Sequence, residues 1–188
     1  PIEMNLQQNG FILPQQKKGE NLFCGVNQSK AVKNIIARKE ERARDKKTNK
    51  RKTALIVQSG CMRGVFNAGS LVALEKMGFT EGFDAVYGSS GGAMNASYFL
   101  SGQGPFGASI YYENINNSKF INILRFKRIV DIDYLLNDVV KKIKPLNVKK
   151  VINSKSSFYF FVTDADTGEC KKVTPTNGNF LNLLKASC

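Results

Sequence analysis

Hydrophobic and polar positions divide this chain near Thr53. Residues 1–28 are polar and rich in Gln and Asn, broken only by Phe11-Ile12-Leu13-Pro14. They show no periodicity and read as an irregular lead-in. Over 30–52 the apolar positions Ala31, Val32, Ile35 and Ile36 form one patch at helical spacing, and Glu40 and Arg44 make a favourable i,i+4 pair. The pattern predicts a helix over 30–47 that docks by its first two turns, then a basic, solvated link over 48–52.

From Thr53 the pattern changes. Thr53-Ala54-Leu55-Ile56-Val57 is a continuous apolar run of strand length, which suits a strand buried on both faces of a parallel sheet. It meets a turn at Ser59-Gly60. Apolar positions at Val65, Phe66, Leu71, Val72, Leu74 and Met77 then predict a helix over 64–77, stopped by Gly78. Phe83-Asp84-Ala85-Val86-Tyr87 reads as a second strand, followed by Gly88-Ser89-Ser90-Gly91-Gly92 and a small-residue helix to about Ser101. Phe158-Tyr159-Phe160-Phe161-Val162-Thr163 is a third, strongly β-prone strand. Strands alternating with helices predict an α/β architecture with right-handed crossovers. The domain organisation expected is a lead-in (1–28), a basic helix and linker (29–52) and one α/β domain (53–188).

Composition narrows the chemistry. The chain has 188 residues, 42% of them hydrophobic, enough for one domain with a real core. No run of roughly 18 apolar residues offers a transmembrane helix, and the N-terminus lacks the form of a signal peptide. Four scattered cysteines (Cys24, Cys61, Cys170, Cys188) have no metal-ligand spacing and are too sparse for a disulfide scaffold, so a reducing cytoplasm is expected. There is no histidine at all. That excludes a Ser-His-Asp triad, a Cys-His dyad and histidine-metal chemistry, and a serine nucleophile would need a carboxylate or lysine as its base. No cofactor or metal is expected.

Two turns carry candidate chemistry. Gly88-Ser89-Ser90-Gly91-Gly92 fits G-x-S-x-G, in which serine sits on a sharp strand-to-helix turn between small neighbours that leave its Oγ exposed. Ser90 is the candidate nucleophile, Gly88 and Gly92 the elbow glycines, and the Gly91 N–H a candidate donor to a developing oxyanion. The plain alternative is a flexible Gly/Ser turn; the flanking strand and helix favour the elbow. Ser59-Gly60-Cys61-Met62-Arg63-Gly64 ends the first strand. Successive N–H groups at such a turn form an anion-binding concavity, with Arg63 and Gly64 anchoring the loop or contacting phosphate. A plain connector is the alternative; a dinucleotide loop is not, because the three-glycine pattern is incomplete and no acidic ribose partner follows.

Residues 53–188 resemble the patatin-like phospholipase family. The resemblance is carried by the strand, the turn with Arg63-Gly64, the elbow, Tyr111-Tyr112, Ile129-Val130-Asp131-Ile132-Asp133-Tyr134-Leu135, and Phe161-Val162-Thr163-Asp164-Ala165-Asp166-Thr167-Gly168-Glu169. It implies a three-layer α/β/α domain with a mainly parallel sheet, incomplete at its C-terminus. It further implies hydrolysis of glycerolipid or phospholipid acyl esters through an acyl-Ser90 intermediate and a Ser-Asp dyad without histidine. Backbone N–H groups near Gly60, Cys61 and Met62 would form the oxyanion hole, one such donor being worth about 3–4 kcal/mol in other enzymes. Two departures stand out. The family's turn usually reads G-G-G-x-R-G, whereas Ser59 and Cys61 occupy two of the glycine places; positive φ at either would cost about 1 kcal/mol or more. The family's dyad aspartate lies in an Asp-Gly-Gly or Asp-Gly-Ala segment that residues 53–188 do not contain, so it is expected just beyond residue 188, and the 188 residues alone are expected to be inactive.

The remaining features weigh less. Asp164-Ala165-Asp166-Thr167-Gly168-Glu169 resembles the start of a calcium loop, but the twelfth position is Pro175 rather than Glu, so a hairpin turn is expected. Asp84, Asp131 and Asp133 read as surface or capping carboxylates. Residues 30–52 carry eleven Lys or Arg against three acidic residues, a net +8 of the chain's +13. A solvated helix is the bland reading, peripheral contact with anionic membrane the next, and nucleic-acid binding the least supported, as no aromatic-interleaved patch accompanies the charge. The competing function is a non-catalytic basic membrane- or nucleic-acid-binding module on a degenerate hydrolase fold.

Overall fold

A computed structural model describes residues 29–44, 52–126 and 128–188. The lead-in at 1–28, the helix beyond 44 and most of the link at 48–52 lie outside them. The aliphatic run after Thr53 forms strand β1 (Ala54–Val57), and β2 (Ala85–Gly88) and β3 (Ser157–Thr163) pair with it in parallel in the order β1-β2-β3. Strand β4 (Cys170–Val173) closes an antiparallel hairpin on β3. Its turn is held by Asp164, whose Oδ1 accepts from the N–H groups of Asp166 and Thr167. The fold is therefore the α/β class that the strand–helix alternation implied, a mixed, mostly parallel sheet with flanking helices.

Helix α1 (Lys30–Ala43) precedes the sheet, α2 (Gly64–Lys76) links β1 to β2, and α3 (Gly91–Leu100) follows β2. The stop at Gly78 is a Schellman turn: its φ is +72°, its N–H bonds Glu75 O, and Phe79 N–H bonds Leu74 O, both at 2.8 Å. Nine of the ten α3 residues are buried, which is why that helix is built of Ala, Gly, Ser and a few large apolar residues with no polar stripe. Short helices α4 (Gly104–Ala108), α5 (Ile110–Glu113) and α6 (Ile132–Tyr134) follow. A π-helical stretch (Leu135–Ile143), α7 (Val148–Ile152) and, after β4, α8 (Phe180–Ala186) complete the chain.

The sequential strand order fixes where the helices go. Right-handed crossovers along β1-β2-β3 bring successive helices to the same face. That face carries Val57, Val86, Phe158 and Phe160, and receives α3 and α8, with Phe180 of α8 set edge-on to Phe160 at 5.4 Å. The opposite face carries Ile56, Tyr87, Tyr159 and Phe161, where Tyr87 stacks on Tyr159 and Phe161. Strand β1 thus differs from the doubly buried strand expected from its apolar run: Ile56 is 76% exposed.

Helix α1 also docks further along than its apolar patch suggested. Arg38 Nε donates to Asp84 Oδ1 at 2.8 Å, Arg42 reaches the same oxygen at 3.3 Å, and Lys39 Nζ donates to Met77 O at 2.7 Å. Asp84 Oδ2 in turn accepts from Thr53 N at 2.8 Å, tying α1 to the entry of β1. Asp84 is a structural anchor rather than a surface carboxylate. Asp131 is the expected cap, accepting from Tyr134 N at the start of α6, while the half-buried Asp133 pairs with Lys185.

Candidate active site

Strand β2 ends at Gly88 and α3 begins at Gly91, so the chain reverses direction over Ser89 and Ser90. Ser90 takes φ 51° and ψ −130°, a conformation that an L-residue occupies at a cost of about 1–3 kcal/mol. Packing enforces it. A Cβ on Gly92 would stand 2.3 Å from Val57 O and 2.7 Å from Gln58 O, and one on Gly88 would stand 2.7 Å from Ala93 Cα. Glycine at both places lets α3 approach the end of β1 closely enough to hold the turn shut. The spacing of the two elbow glycines around Ser90 is thus a steric requirement of this strand–turn–helix.

The second turn lies against the first. Residues Cys61–Arg63 form a 3-10 turn leading into α2, and Cys61 has φ 46°. The only other non-glycine residue with positive φ among those described is Ser90, so of the two departures from glycine, Cys61 carries the strain and Ser59 does not. The Cys61 backbone reaches the start of α3: from the Cβ position of Gly91, Cys61 O lies at 3.6 Å and Cys61 N at 3.9 Å. Among the described residues, the N–H groups of Gly60, Cys61, Met62 and Gly91 donate to no protein acceptor. Four unspent donors thus sit on the two turns that flank Ser90.

A buried polar chain braces this arrangement. Tyr111 OH donates to Asn95 Oδ1 at 3.1 Å, and Asn95 Nδ2 donates to Gly64 O at 2.8 Å, joining α5, α3 and the start of α2. A Cβ on Gly64 would meet Tyr111 OH at 2.4 Å, so Gly64 serves close packing. Arg63 is exposed and its side chain makes no hydrogen bond or ion pair with the described residues. Its expected role as loop anchor therefore falls to the Arg63 backbone, whose N–H bonds Gly60 O at 2.9 Å.

Two further parts of the site left no trace in the sequence pattern. Ser187, just past α8, accepts from Ser90 N–H at 3.1 Å through its Oγ, and its carbonyl accepts from Ser89 Oγ at 3.3 Å. Beside it the Cys188 thiol donates to Leu184 O at 3.3 Å and lines the same cavity as Ser90; desolvation there pushes the thiol up. The second part is a cavity of about 250 Å³ lined by Ser90 and Cys61 together with Met94, Phe120, Val130 and Leu135. A methylene takes up roughly the 30 Å³ that a water occupies in the liquid, so the cavity holds on the order of eight carbons. Its lining is apolar and carries no carboxylate or lysine. Tyr111 is the phenol on the wall, and burial pushes it up to about 12, which keeps it protonated at neutral pH. Among the described residues, no cluster of three or more His, Cys, Asp or Glu is placed to hold a metal ion.

The site thus brings together a serine in a strained strand-to-helix turn, backbone N–H groups without protein acceptors among the described residues, and an apolar cavity. The chain belongs to the patatin-like phospholipase family, whose model matches residues 55–188. It is similar to the uncharacterized protein YjjU of Escherichia coli (strain K12), 29% identical over 140 residues, which are 71% of this chain. The matched region spans 39% of that protein's length. No solved structure gives a significant match. Among the described residues no helix is long and apolar enough to cross a membrane.

Proposed function

We propose that the protein is a phospholipase A-type acyl hydrolase in which Ser90 Oγ attacks the ester carbonyl of a glycerolipid. The observation that carries this reading is the junction of the strained Ser90 turn with an apolar cavity sized for part of an acyl chain. The attacking oxygen loses its proton to a carboxylate, and the carbonyl oxygen becomes an oxyanion. The amides of Cys61, Met62 and Gly91, with Gly60 shaping the turn, take that charge; their lack of protein acceptors supports this assignment. The tetrahedral intermediate collapses to acyl-Ser90 and releases the lyso-lipid alcohol, which takes the proton back. Water, deprotonated by the same carboxylate, then frees the fatty acid.

The carboxylate is assigned to an aspartate following residue 188. Two observations support it: the cavity lining offers no base, and Ser187 and Cys188 already touch the Ser90 turn, so the next residues need little chain to reach Oγ. The competing reading, a basic binding module, draws on the charge of 30–52. In α1, however, Arg38, Lys39 and Arg42 are engaged with Asp84 and Met77, which leaves fewer cations for a partner. The test is acyl-ester hydrolysis by the complete protein and its Ser90→Ala variant. A loss on the order of 10³-fold or more is expected for a removed nucleophile. Undiminished turnover in the variant would overturn the assignment.

A further inference from the structure

The chain between α5 and α6 contains a structured loop that the proposed chemistry does not employ. Ile121 and Val130 form an antiparallel bridge, and Asn122 N–H donates to Ile129 O at 2.8 Å. Arg125 fastens the loop from within: its guanidinium pairs with Asp131 at 2.8 Å and donates to Lys119 O at 2.8 Å and Ser118 O at 3.1 Å. The loop is therefore a built element, and its two ends face different surroundings. At the base, Phe120 and Val130 line the same cavity as Ser90. At the tip, Ile123, Leu124 and Phe126 are 77%, 79% and 96% exposed.

Holding three large apolar side chains out in water on a braced loop is unfavourable unless something covers them. The charge around them indicates what does. From 114 to 130 the sequence has no acidic residue; Arg125 is spent on Asp131, but Lys119 is exposed and Arg128 keeps a 70% exposed side chain with only a 3.5 Å contact to Asp133. Apolar side chains interleaved with cations suit the boundary of an anionic bilayer, where the former enter the acyl region and the latter meet the phosphates. The cavity at the loop's base is lined by apolar side chains too, which favours a lipid surface over a protein partner.

We propose that the 121–130 loop docks the protein on anionic phospholipid membranes by inserting Ile123, Leu124 and Phe126. Membrane contact then belongs to this loop and not chiefly to the basic segment at 30–52. Its use in feeding lipid to Ser90 rests on the hydrolase reading; the docking itself does not.

The test uses the complete protein carrying Ser90→Ala, so that no lipid is consumed, in co-sedimentation with phosphatidylcholine–phosphatidylglycerol vesicles and with phosphatidylcholine vesicles. Preferential binding to the anionic vesicles, weakened by salt, is expected. Adding Leu124→Ser and Phe126→Ser should lower the partition constant about tenfold or more, since taking such a side chain out of water is worth about that factor. Both side chains are exposed, so the thermal unfolding of the variant should match that of its parent. Vesicle binding unchanged by the two substitutions overturns the proposal. So does a parent that binds no vesicles but forms a dimer that the substitutions dissociate, which would make the tip a self-association surface. Ester hydrolysis by the protein with Ser90 intact is measured alongside. Its absence together with loop-dependent vesicle binding would sink the hydrolase reading and support the docking.

Discussion

Cys61 offers a direct reading of how much strain the site holds. It sits at φ 46° in the turn that carries the proposed oxyanion donors, and its side chain is exposed, so packing contributes little to a substitution there. An L-residue in the left-handed region loses about 1–2 kcal/mol, and glycine gives back roughly 0.5–1 kcal/mol of that through its greater freedom in the unfolded chain. Cys61→Gly should therefore raise stability by about 0.5–1 kcal/mol. A β-branched residue tolerates positive φ worst, so Cys61→Val should lower it by about 1 kcal/mol. Cys61→Ala, which keeps the strain and removes only the thiol, should stay within about 0.5 kcal/mol of the parent. Between Gly and Val the span is about 2 kcal/mol, or roughly 4–8 °C in Tm for a domain of this size. Thermal unfolding followed by circular dichroism resolves that span. If the Val and Gly variants melt together, the turn does not hold Cys61 at positive φ and the proposed donor geometry loses its footing.

Three further outcomes follow from named contacts. Gly92→Ala places a Cβ 2.3 Å from Val57 O, which backbone cannot avoid, so a loss of about 3 kcal/mol or failure to fold is expected in urea titration. Ser90→Gly should abolish acyl-ester cleavage while raising the unfolding free energy in urea titration by up to about 1 kcal/mol, since it releases the φ 51° strain; a lowered midpoint would contradict it. Asp84→Asn leaves Arg38 and Arg42 without their shared carboxylate and should cost about 2–3 kcal/mol. Burial alone would raise Asp84, but hydrogen bonds from Thr53 and Arg38 and the charges of Arg38 and Arg42 hold it below its ordinary 3.8. Its stabilisation is thus fully present above the unfolded value of about 4 and is lost as pH falls below that through the lowered folded-state pKa, so parent and Asn variant should converge in acid. Parallel pH–stability curves would refute this.

How far the sequence carried the fold depended on whether a signal was local. The tight strand-to-helix turn at 88–92 was legible from its glycines, of which Gly88 is forced by nearby Ala93 and Gly92 by β1, more than thirty residues back. The stop at Gly78 was legible for the same local reason. Ile56 was misjudged because an apolar run says nothing of which face the crossovers will cover. Asp84 was misjudged because its partners Arg38 and Arg42 sit more than forty residues earlier. The cavity wall was invisible for another reason. Phe120 and Val130 come from an irregular loop and Leu135 from a π-helical stretch, neither of which leaves a periodic trace. Ser187 reaches Ser90 only because α8 packs on β3 through Phe180.

Covalent trapping tests the central claim most directly. The complete protein would be treated with an alkyl fluorophosphonate, which transfers a phosphonyl group to an activated serine, and then mapped by peptide mass spectrometry. The account predicts one stoichiometric adduct, on the peptide that contains Ser90, with ester hydrolysis lost in proportion to labelling. Esterase activity that persists while Ser90 is fully modified, or an adduct confined to another residue such as Ser89 or Cys61, would contradict it.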